Sequence, residues 1–453
     1  MQIRIFHTND IHSNYEFLKK VHAYLRDNKT ADDLYFDSGD YADLKNLIVQ
    51  ADKGRSAAEL IMSCGLDGMA VGNNEVDMGY EAVSELAHNA LPLIAANVTD
   101  AEDAPVEYLP ASVIYKRCGH RILVIGLGPY YREYRVPSGY NVFAQMGNLK
   151  FHPPEERIRE ELDKNRGKYD FCILLSHSGL SVEKELMRQF DEINLCLGGH
   201  SHDAVNYAGY SQSGMGEYLG EITLEVSENG IFETGNRLIE LSDCDNPEFD
   251  RMISDKQNYA DEIMAEELDA IAELSFDAFT ECPLINFVCD CLMSQYGGNL
   301  AVMHNGIAEN ALTRPVSKKS LLETFPSKLN PTIYSITGDK IIEAIRLSFD
   351  AEHTADSGNG PGFRGKVLGT LGFSSNVRIT KEPFSVTVDG APIELQKEYV
   401  IVTDDYLQRG TGYPSLRVPN SECRYDKWFI RDLVENHLTD GNAYRSAAIV
   451  RCR

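Results

Sequence analysis

The sequence predicts a two-domain α/β protein, and three observations support this fold class. The chain has 453 residues, more than a single hydrophobic core normally holds. Up to about residue 241, short apolar segments alternate with segments of helical spacing, and a hairpin pattern ends this part. An acidic stretch of helical period without a strand signal follows. We therefore expect a first domain at 1–242, a linker helix at 243–275 and a second, smaller domain at 276–453.

The predicted strands of the first domain are short apolar or β-branched runs that end at glycine or polar residues. In chain order they are Gln2–His7, Leu34–Phe36, Met69–Val71, Pro92–Val98, Ser112–Lys116, Arg121–Leu127, Phe171–Leu175, the segment with Leu195 and Leu197, and a hairpin over Glu217–Leu241 that closes on Asn229-Gly230. The predicted helices carry apolar residues at spacings of three and four: Tyr15–Leu25, Ala57–Cys64, Ala82–Ala90, Glu155–Asn165 and Val182–Phe190. Strands that first alternate with helices and then pair antiparallel suggest two sheets covered by helices.

In the second domain the pattern of apolar residues is less regular, but it still predicts an α/β structure. Its first helix is predicted at Leu284–Tyr296, with Pro283 placed to open it and Gly297 to close it. The remaining predictions are a strand at Leu300–Met303, a helix at Asp339–Phe349, a hairpin at Asp389-Gly390, a strand at Val400–Thr403 and a helix at Lys427–Leu438.

Composition excludes several classes of function. The net charge of −26 repels phosphate backbones, so we expect no binding to long nucleic acid. A small anionic substrate remains compatible with this charge if metal ions dominate the local field. No apolar run approaches about 20 residues, so we expect no membrane span.

Cysteine usage indicates a reducing compartment. The ten cysteines form no C-x-x-C pair, and Cys172, Cys196 and Cys289 lie in apolar segments. This favours reduced, buried thiols over a disulfide framework or a zinc ribbon. A basic-then-apolar leader is also absent, because the first strand begins at Gln2, so we expect a cytoplasmic protein.

Polar side chains recur where the strands of the first domain end. Because open α/β sheets form their sites at the carboxyl ends of strands, we expect these side chains to lie close together. Each alone would usually be an ordinary loop residue, and their recurrence at five strand ends is what predicts a metal site. The candidate ligands are Asp10, His12, Asp40, Asn73, His177, His200 and His202.

The donor types constrain the metal. Oxygen and nitrogen donors without any thiolate suit Mn²⁺, Zn²⁺, Fe or Co. Seven ligands are too many for one tetrahedral ion, but they suffice for two ions if one carboxylate bridges, and Asp40 is the natural bridge. Two ions about 3.5–4 Å apart clamp a phosphoryl group and generate hydroxide as the nucleophile.

The order of these motifs resembles a known family. The runs D-x-H at Asp10, G-D at Asp40, G-N-x-E at Asn73, S-H-x-G at His177 and G-H-x-H at His200 are similar to those of the calcineurin-like metallophosphoesterases. The T-N-D-x-H start and the second domain point to the 5′-nucleotidase branch. The resemblance implies a four-layer αββα sandwich plus a smaller C-terminal α/β domain of 5′-nucleotidase type.

The resemblance also implies how the ligands divide between two metals. One ion would be held by Asp10, His12, Asp40 and His202. The other would be held by Asp40, Asn73, His177 and His200.

One motif departs from the family pattern. The family usually reads G-N-H-E, and its histidine pairs with an aspartate three residues later to stabilise the transition state. Here Asn74 replaces that histidine, while Asp77 keeps the partner's place. Asn74 can donate a hydrogen bond but cannot deliver a proton, and loss of a general acid typically costs ~10²–10⁴-fold. We assign Asn74 and Asp77 catalytic roles in a slower enzyme; the alternative for Asp77 is an N-cap of the helix near Tyr80.

The substrate loops of the second domain depart further. The family's N-G-G-x-R loop corresponds to the segment at Asn305, which has no Arg before Arg314. Tyr413 supplies one of the two aromatic residues that sandwich a base in the family, whereas the second position is Val367. Asn305 and Tyr413 are therefore the substrate-binding candidates, although a tyrosine of the core or of the surface without a role in binding is about as compatible with the sequence at position 413.

Together these observations predict a phosphoester hydrolase that depends on two divalent metal ions. The simplest form is a 5′-nucleotidase-like phosphomonoesterase of nucleotide breakdown, acting on a small phosphorylated substrate such as a nucleotide. One alternative is a phosphodiesterase for cyclic nucleotides or other diesters, since good leaving groups tolerate the missing imidazole. Another is a catalytically weak metal- or nucleotide-binding protein.

Overall fold

The computed structural model describes residues 1–130, 144–227, 230–358, 360 and 362–453. The chain divides into two compact units, Met1–Ala260 and Asp261–Arg453. The division falls inside the predicted linker 243–275, whose helix is shorter than predicted and runs from Pro247 to Met264. The helix stops early because Glu267–Leu268 pairs as a strand with Val316–Ser317, a partner remote in sequence. Among the described residues, no helix is long and apolar enough to cross a membrane.

The first unit contains most of the predicted elements. Its strands are β1 (Gln2–Thr8), β2 (Leu34–Asp37), β3 (Gly68–Ala70), β4 (Leu93–Ile94), β5 (Val98–Asp100), β6 (Ser112–Arg117), β7 (His120–Leu127), β8 (Leu149–Phe151), β9 (Phe171–Ser176), β10 (Leu195–Leu197), β11 (Ala204–Tyr207), β12 (Tyr210–Ser213), β13 (Tyr218–Ser227) and β14 (Gly230–Glu240). Its helices are Tyr15–Asn28, Leu47–Asp52, Arg55–Met62, Asn73–Asp77, Tyr80–Asn89, Pro154–Lys164, Leu180–Gln189 and the first part of Pro247–Met264.

Two six-stranded sheets form the middle of this unit. Their strand orders are β14-β13-β1-β2-β3-β4 and β11-β12-β10-β9-β7-β6. Ile3 and Ile5 from the first sheet share one hydrophobic cluster with Ile173 and Leu197 from the second, so the sheets pack face to face.

Helices cover the outer faces of both sheets. Phe6 points away from the inter-sheet core because side chains alternate along β1, and its ring centroid lies 6.2 Å from that of Tyr24 on helix Tyr15–Asn28. On the other sheet, Leu174 clusters with Ile158 and Leu186 from the helices Pro154–Lys164 and Leu180–Gln189. The predicted four-layer αββα sandwich is confirmed.

One predicted strand of the first unit differs from the structure, and the predicted hairpin that ends this unit is present. Pro92–Val98 is not one strand but two, β4 and β5, because the N–H groups of Ala95 and Ala96 bond to the carbonyls of Pro110 and Gly126 and draw the chain out of the sheet. The hairpin predicted over Glu217–Leu241 is present as β13 paired antiparallel with β14. Asn229, part of its predicted turn, lies outside the described residues.

The second unit is a smaller α/β structure, as the sequence predicts. Its strands are β15 (Glu267–Leu268), β16 (Leu300–His304), β17 (Val316–Ser317), β18 (Pro331–Thr337), β19 (Leu371–Phe373), β20 (Val377–Thr380), β21 (Ser385–Val388), β22 (Ala391–Pro392), β23 (Glu398–Asp404) and β24 (Arg424–Tyr425). Its helices are Pro283–Tyr296, Lys318–Thr324, Gly338–Leu347, Ala351–Thr354, Asp405–Gln408, Ile430–His437 and Gly441–Ala447. The central sheet has the order β19-β16-β23-β18-β24, and the buried helix Pro283–Tyr296 packs on it through residues such as Phe287.

Candidate metal centre

The sheet topology brings the predicted ligands together. β1 runs parallel to β2, and β9 runs parallel to β10, so each pair ends at a common edge of its sheet. Asp10, Asp40, His177 and His200 all follow these strand ends.

Two groups of side chains have the spacing of a metal site. The first is Asp10, His12 and His202, and the second is Asp10, Asp40 and His177; in each group the ligand atoms lie within 4.8 Å of one another. Both groups share Asp10. Asp40 also faces both sides of the cluster, since its Oδ1 lies 3.5 Å from His177 Nε2 and its Oδ2 lies 3.8 Å from His12 Nε2.

The remaining two predicted ligands adjoin this cluster. His200 Nδ1 lies 3.0 Å from Asn73 Oδ1. The backbone N–H of His200 donates to Asp10 Oδ2 at 2.8 Å. All seven side chains therefore belong to one connected set of contacts, and their individual assignment to two ions stays a prediction.

Two buried atoms of the cluster indicate that it is built for a cation. Asp10 Oδ1 and His177 Nε2 are buried, and neither makes a hydrogen bond of good geometry among the described residues. Their nearest polar neighbours are His202 Nε2, 3.3 Å from Asp10 Oδ1, and Asp40 Oδ1, 3.5 Å from His177 Nε2. They lie 3.9 Å apart. Burying unpaired polar atoms costs about 1–3 kcal/mol each, and more when they are charged. A divalent metal coordinated by both atoms would satisfy them, so the residues fit the ions that the sequence predicts.

The orientation of His177 supports the same conclusion. Its Nδ1 lies 2.7 Å from the carbonyl oxygen of Ser38, which can only accept a hydrogen bond. The proton of a neutral His177 therefore stays on Nδ1, and the lone pair of Nε2 faces the carboxylates.

Backbone strain is concentrated in the same loops. Asp10, His12, Asp40, His200 and His202 have φ values of 50°, 47°, 58°, 74° and 59°. Left-handed backbone costs a non-glycine residue of order 1 kcal/mol or more and clusters at functional sites. Gly72 is required for a different reason, since a Cβ on it would approach Asp40 Oδ1 to 2.2 Å.

Asn9 is a functional residue that the sequence reasoning left without a role. Its Nδ2 donates to Asp10 Oδ2 and to the carbonyl of Gly214, both at 2.7 Å, and its Oδ1 accepts from the N–H and Oγ–H of Ser213 at 2.7 Å. These bonds fix the Asp10 carboxylate with Oδ1 turned to the histidines. A polar side chain directly after β1 and next to Asp10 is the sequence feature that could have indicated this role of Asn9.

Glu75 is the second such residue. It is buried, and its Oε2 accepts hydrogen bonds from the N–H of Gly72 at 2.7 Å and of Asp40 at 3.0 Å. It thus joins two of the loops that carry ligands. Burial, reinforced by the nearby Asp40 carboxylate, raises the pKa of Glu75 to about 8. A Glu three residues after the N-cap, here Gly72, is a capping signal, which could have indicated this role.

The carboxylates also set the protonation of the histidines in the metal-free cluster. Burial lowers the pKa of His177, but the charges of Asp40 and Asp10 outweigh burial and raise it to about 10. His200 has the opposite balance, since burial and the neighbouring His177 lower its pKa to about 4. The proton of His177 thus supplies the positive charge that a metal ion would supply, and metal binding would release it.

Asn74 and Asp77 lie on the short helix Asn73–Asp77. Asn74 is fully buried; its backbone N–H donates to Asp40 Oδ1 at 2.8 Å, and its Nδ2 lies 3.0 Å from His12 Nδ1. Asp77 is the last residue of this helix, on the same face as Asn74. The alternative interpretation of Asp77 as an N-cap is wrong, because Gly79 occupies the N-cap position of helix Tyr80–Asn89. The catalytic roles of both residues stay predictions.

The substrate candidates of the second unit are buried. Asn305 Nδ2 donates to the carbonyls of Asp277 at 2.7 Å and Thr280 at 2.8 Å. Tyr413 has no exposed surface, and its hydroxyl donates to the carbonyl of Gly369 at 2.8 Å. Of the two alternatives left open by the sequence, core or surface, Tyr413 has the core position. Contact of either residue with substrate stays a prediction.

Family profiles match both units. The calcineurin-like phosphoesterase profile matches residues 3–204, and the 5′-nucleotidase C-terminal domain profile matches residues 265–417. The chain is 26% identical over 467 residues to the uncharacterized metallophosphoesterase YunD of Bacillus subtilis, covering 96% of this chain and 98% of that protein. It is 22% identical over 516 residues to a 5′-nucleotidase of Diplobatis ommata, covering 94% and 85% of the two chains.

Solved structures agree on the fold. A putative 5′-nucleotidase from Staphylococcus aureus superposes with a TM-score of 0.68 at 16% identity, covering 100% of this chain and 99% of that one. The fold and the ligand cluster define a metal-dependent phosphoester hydrolase. Residues 3–204 belong to the calcineurin-like phosphoesterase family, and residues 265–417 belong to the 5′-nucleotidase C-terminal domain family.

Proposed function

We propose that this protein is a phosphomonoesterase that acts on nucleotides and requires two divalent metal ions from the set Mn, Zn, Co and Fe. One observation carries the metal dependence: Asp10 Oδ1 and His177 Nε2 are buried without a hydrogen bond of good geometry among the described residues, inside a cluster of nitrogen and oxygen donors. The relatives that carry a 5′-nucleotidase name, and the matching C-terminal domain, support a nucleotide as substrate.

The residues of the chain have separate tasks in this proposal. Asp10, His12, Asp40 and His202 would hold one ion, and Asp40, Asn73, His177 and His200 the other. When bound, two such ions polarise the phosphoryl group and lower the pKa of water, which supplies the nucleophile. Ser38 keeps the Nδ1 proton of His177 in place, and Asn9 keeps Asp10 Oδ1 directed at the cluster. Asn74 and Asp77 would stabilise developing charge near the phosphoryl group.

A second candidate function rests on Asn74. Because a carboxamide cannot protonate a leaving group, a phosphodiester or an activated ester with a good leaving group would suffer least from the substitution. We therefore keep a phosphodiesterase as the alternative.

A panel of nucleoside monophosphates, cyclic nucleotides and aryl phosphoesters, assayed with Mn²⁺, Co²⁺ and Zn²⁺, separates these functions. We expect metal-dependent release of phosphate from nucleoside 5′-monophosphates. Faster turnover of diesters would favour the alternative. No turnover of any substrate by a protein shown to hold two ions would contradict both enzyme functions and leave a binding protein.

We further propose that the protein acts in a reducing compartment such as the bacterial cytoplasm, in nucleotide breakdown. The ten cysteines, all among the described residues, are free thiols, and six of them are buried. Such thiols persist where disulfides are not formed. Mass determination after alkylation of protein purified without reductant tests this, since a disulfide in the native protein would contradict it.

A further inference from the structure

We propose that Asn74 is a positioning residue for His12: its carboxamide faces Nδ1 of this imidazole and can pair with that nitrogen whether or not Nε2 binds a metal ion. The inference rests on the proposed metal-dependent function and assigns a task to the residue at which this chain departs from its family. Its basis is the distance of 3.0 Å between Asn74 Nδ2 and His12 Nδ1, with Asn74 fully buried.

The geometry of His12 separates the roles of its two ring nitrogens. Nε2 faces the ligand cluster, since it lies 3.8 Å from Asp10 Oδ1, 3.8 Å from Asp40 Oδ2 and 3.2 Å from His202 Nε2. Nδ1 faces Asn74. An ion bound at Nε2 requires the ring proton to sit on Nδ1, and the group facing Nδ1 must then accept a hydrogen bond.

A carboxamide can meet this requirement in both states of the site. In the metal-free arrangement its N–H₂ donates to Nδ1, and the ring proton on Nε2 points toward the carboxylates. If Nε2 held an ion, the ring proton would sit on Nδ1, and a half-turn of the amide would present its oxygen to that proton. Apolar side chains can do neither, and a carboxylate can only accept.

Contacts of the backbone at Asn74 and of the preceding residue keep the side chain of Asn74 beside His12. Its own N–H donates to Asp40 Oδ1 at 2.8 Å, and the preceding residue, Asn73, contacts His200 Nδ1 through its Oδ1. The helix Asn73–Asp77 therefore touches three predicted ligands, His12, Asp40 and His200. Removing an outer partner of a metal-bound histidine typically weakens metal binding by about 10–100-fold.

Chelator competition with Zn²⁺ and Mn²⁺ measures this effect without reference to activity. We expect Asn74→Ala to weaken one of the two ions about 10–100-fold and to leave the other nearly unchanged. Asn74→Asp should restore tight binding, because its carboxylate accepts from Nδ1–H. The matched control is Asn165→Ala, which removes another buried amide of the first unit. Asn165 bonds Glu161 and Ser112, and neither of these is a predicted metal ligand.

The unfolding temperature in excess chelator shows whether each variant folds. If Asn74→Ala does not fold, Asn74→Ser tests the same point, since its hydroxyl is too short to reach His12. Unchanged metal affinity in Asn74→Ala or Asn74→Ser, with a fall in kcat, would leave Asn74 only its proposed role toward substrate. That result would overturn the positioning role while the proposed function stood. Equal weakening by Asn74→Ala and Asn74→Asp would overturn it as well. A native protein that binds neither metal would contradict the proposed function itself.

Discussion

At the scale of single residues, the environment of one oxygen of Asp10 determines what the other can do. Oδ2 accepts hydrogen bonds from Asn9 Nδ2 and from the N–H of His200, and Oδ1 is left facing His12, His177 and His202. The carboxylate is thereby oriented before any ion binds. Orientation in advance lowers the entropy that metal binding must overcome.

Replacing Asn9 should therefore weaken metal binding through Asp10. In Asn9→Ala the carboxylate loses one of two donors to Oδ2, and the N–H of Ser213 loses its acceptor. We expect metal affinity to fall about 10-fold and the metal-free protein to lose about 1–3 kcal/mol of stability. Ser213→Ala is the control, because it removes only the hydroxyl contact to Asn9 and leaves Asp10 bonded. Equal metal affinities in Asn9→Ala and the parent would exclude the role of Asn9.

Asp40 and His12 should differ in how many ions depend on them. The two oxygens of Asp40 face His177 and His12 on opposite sides of the cluster. We expect Asp40→Ala to remove both ions and His12→Ala to weaken mainly one. Elemental analysis of dialysed protein measures this, and two retained ions in Asp40→Ala would show that Asp40 does not bridge.

At the scale of elements, helix Leu180–Gln189 joins two of the ligand loops through Glu183. The buried Oε1 accepts hydrogen bonds from the N–H groups of Ser178, Gly179 and Gly199, and Oε2 accepts from the hydroxyl of Tyr210 at 2.7 Å. Ser178 and Gly199 adjoin His177 and His200. This one carboxylate therefore fixes the spacing of the loops that follow β9 and β10.

The ionisation of Glu183 should lower stability as pH rises. Burial raises its pKa to about 7, although Tyr210, Ser176 and the backbone N–H groups of Gly199 and Ser178 partly oppose the effect, and the thiol of Cys196 lies nearby. The folded protein therefore binds this proton more tightly than the unfolded chain between the ordinary pKa of about 4.5 and about 7. Between these two pKa values the free energy of unfolding falls as pH increases. Above about pH 7 it falls no further on account of Glu183.

Glu183→Gln removes this dependence while it keeps the size of the side chain. Thermal unfolding of metal-free protein at pH 5 and pH 8 should show the variant gaining stability relative to the parent as pH rises, by several degrees in Tm at about 2–4 °C per kcal/mol. The control is Glu185→Gln, at an exposed position on the same helix. A constant difference between Glu183→Gln and the parent across this pH range would contradict the prediction.

The sequence predicted elements well where local pattern decides them. Pro283 and Gly297 bound helix Pro283–Tyr296 as expected, since both act within one turn of the helix end. The sequence-based prediction failed where pairing with remote residues decides the structure. The helix from Pro247 ends at Met264 because the chain then pairs with β17. The prediction also missed β12 (Tyr210–Ser213), although all four of its residues are buried. The contact of Asn74 with His12 could not be predicted either, because it joins a short helix to a loop 62 positions away in the sequence.

At the scale of the whole molecule, the predicted metal ligands all belong to the first unit, Met1–Ala260. A ligand that binds only folded protein stabilises it by about 2.7 kcal/mol at 100 times its Kd. We therefore expect Mn²⁺ or Zn²⁺ to raise the unfolding temperature of the first unit and to leave that of the second unchanged. Scanning calorimetry with and without chelator tests this, and an equal rise in every resolved transition would contradict it.

The pairing of β1 with a strand late in the sequence determines when its sheet can form during translation. β1 pairs with β13, and the register joins Gln2 to Glu225, more than 200 residues later. A ribosome that adds roughly 5–20 residues per second needs on the order of 10–45 s to deliver that partner. Throughout this interval Asp10 and Asp40 belong to a nascent chain whose first sheet is incomplete.

We therefore expect metal loading to follow translation of β13 and not to guide earlier folding. Ribosome-arrested chains that end between His202 and Tyr218 should lose a labelled Zn²⁺ to chelator at once, whereas chains extended beyond Glu240 should retain it. Retention by the shorter chains would mean that the ligand loops assemble without β13. If the expectation holds, a cell short of metal still produces the folded polypeptide. This metal-free, inactive enzyme can then bind metal later, without new protein synthesis.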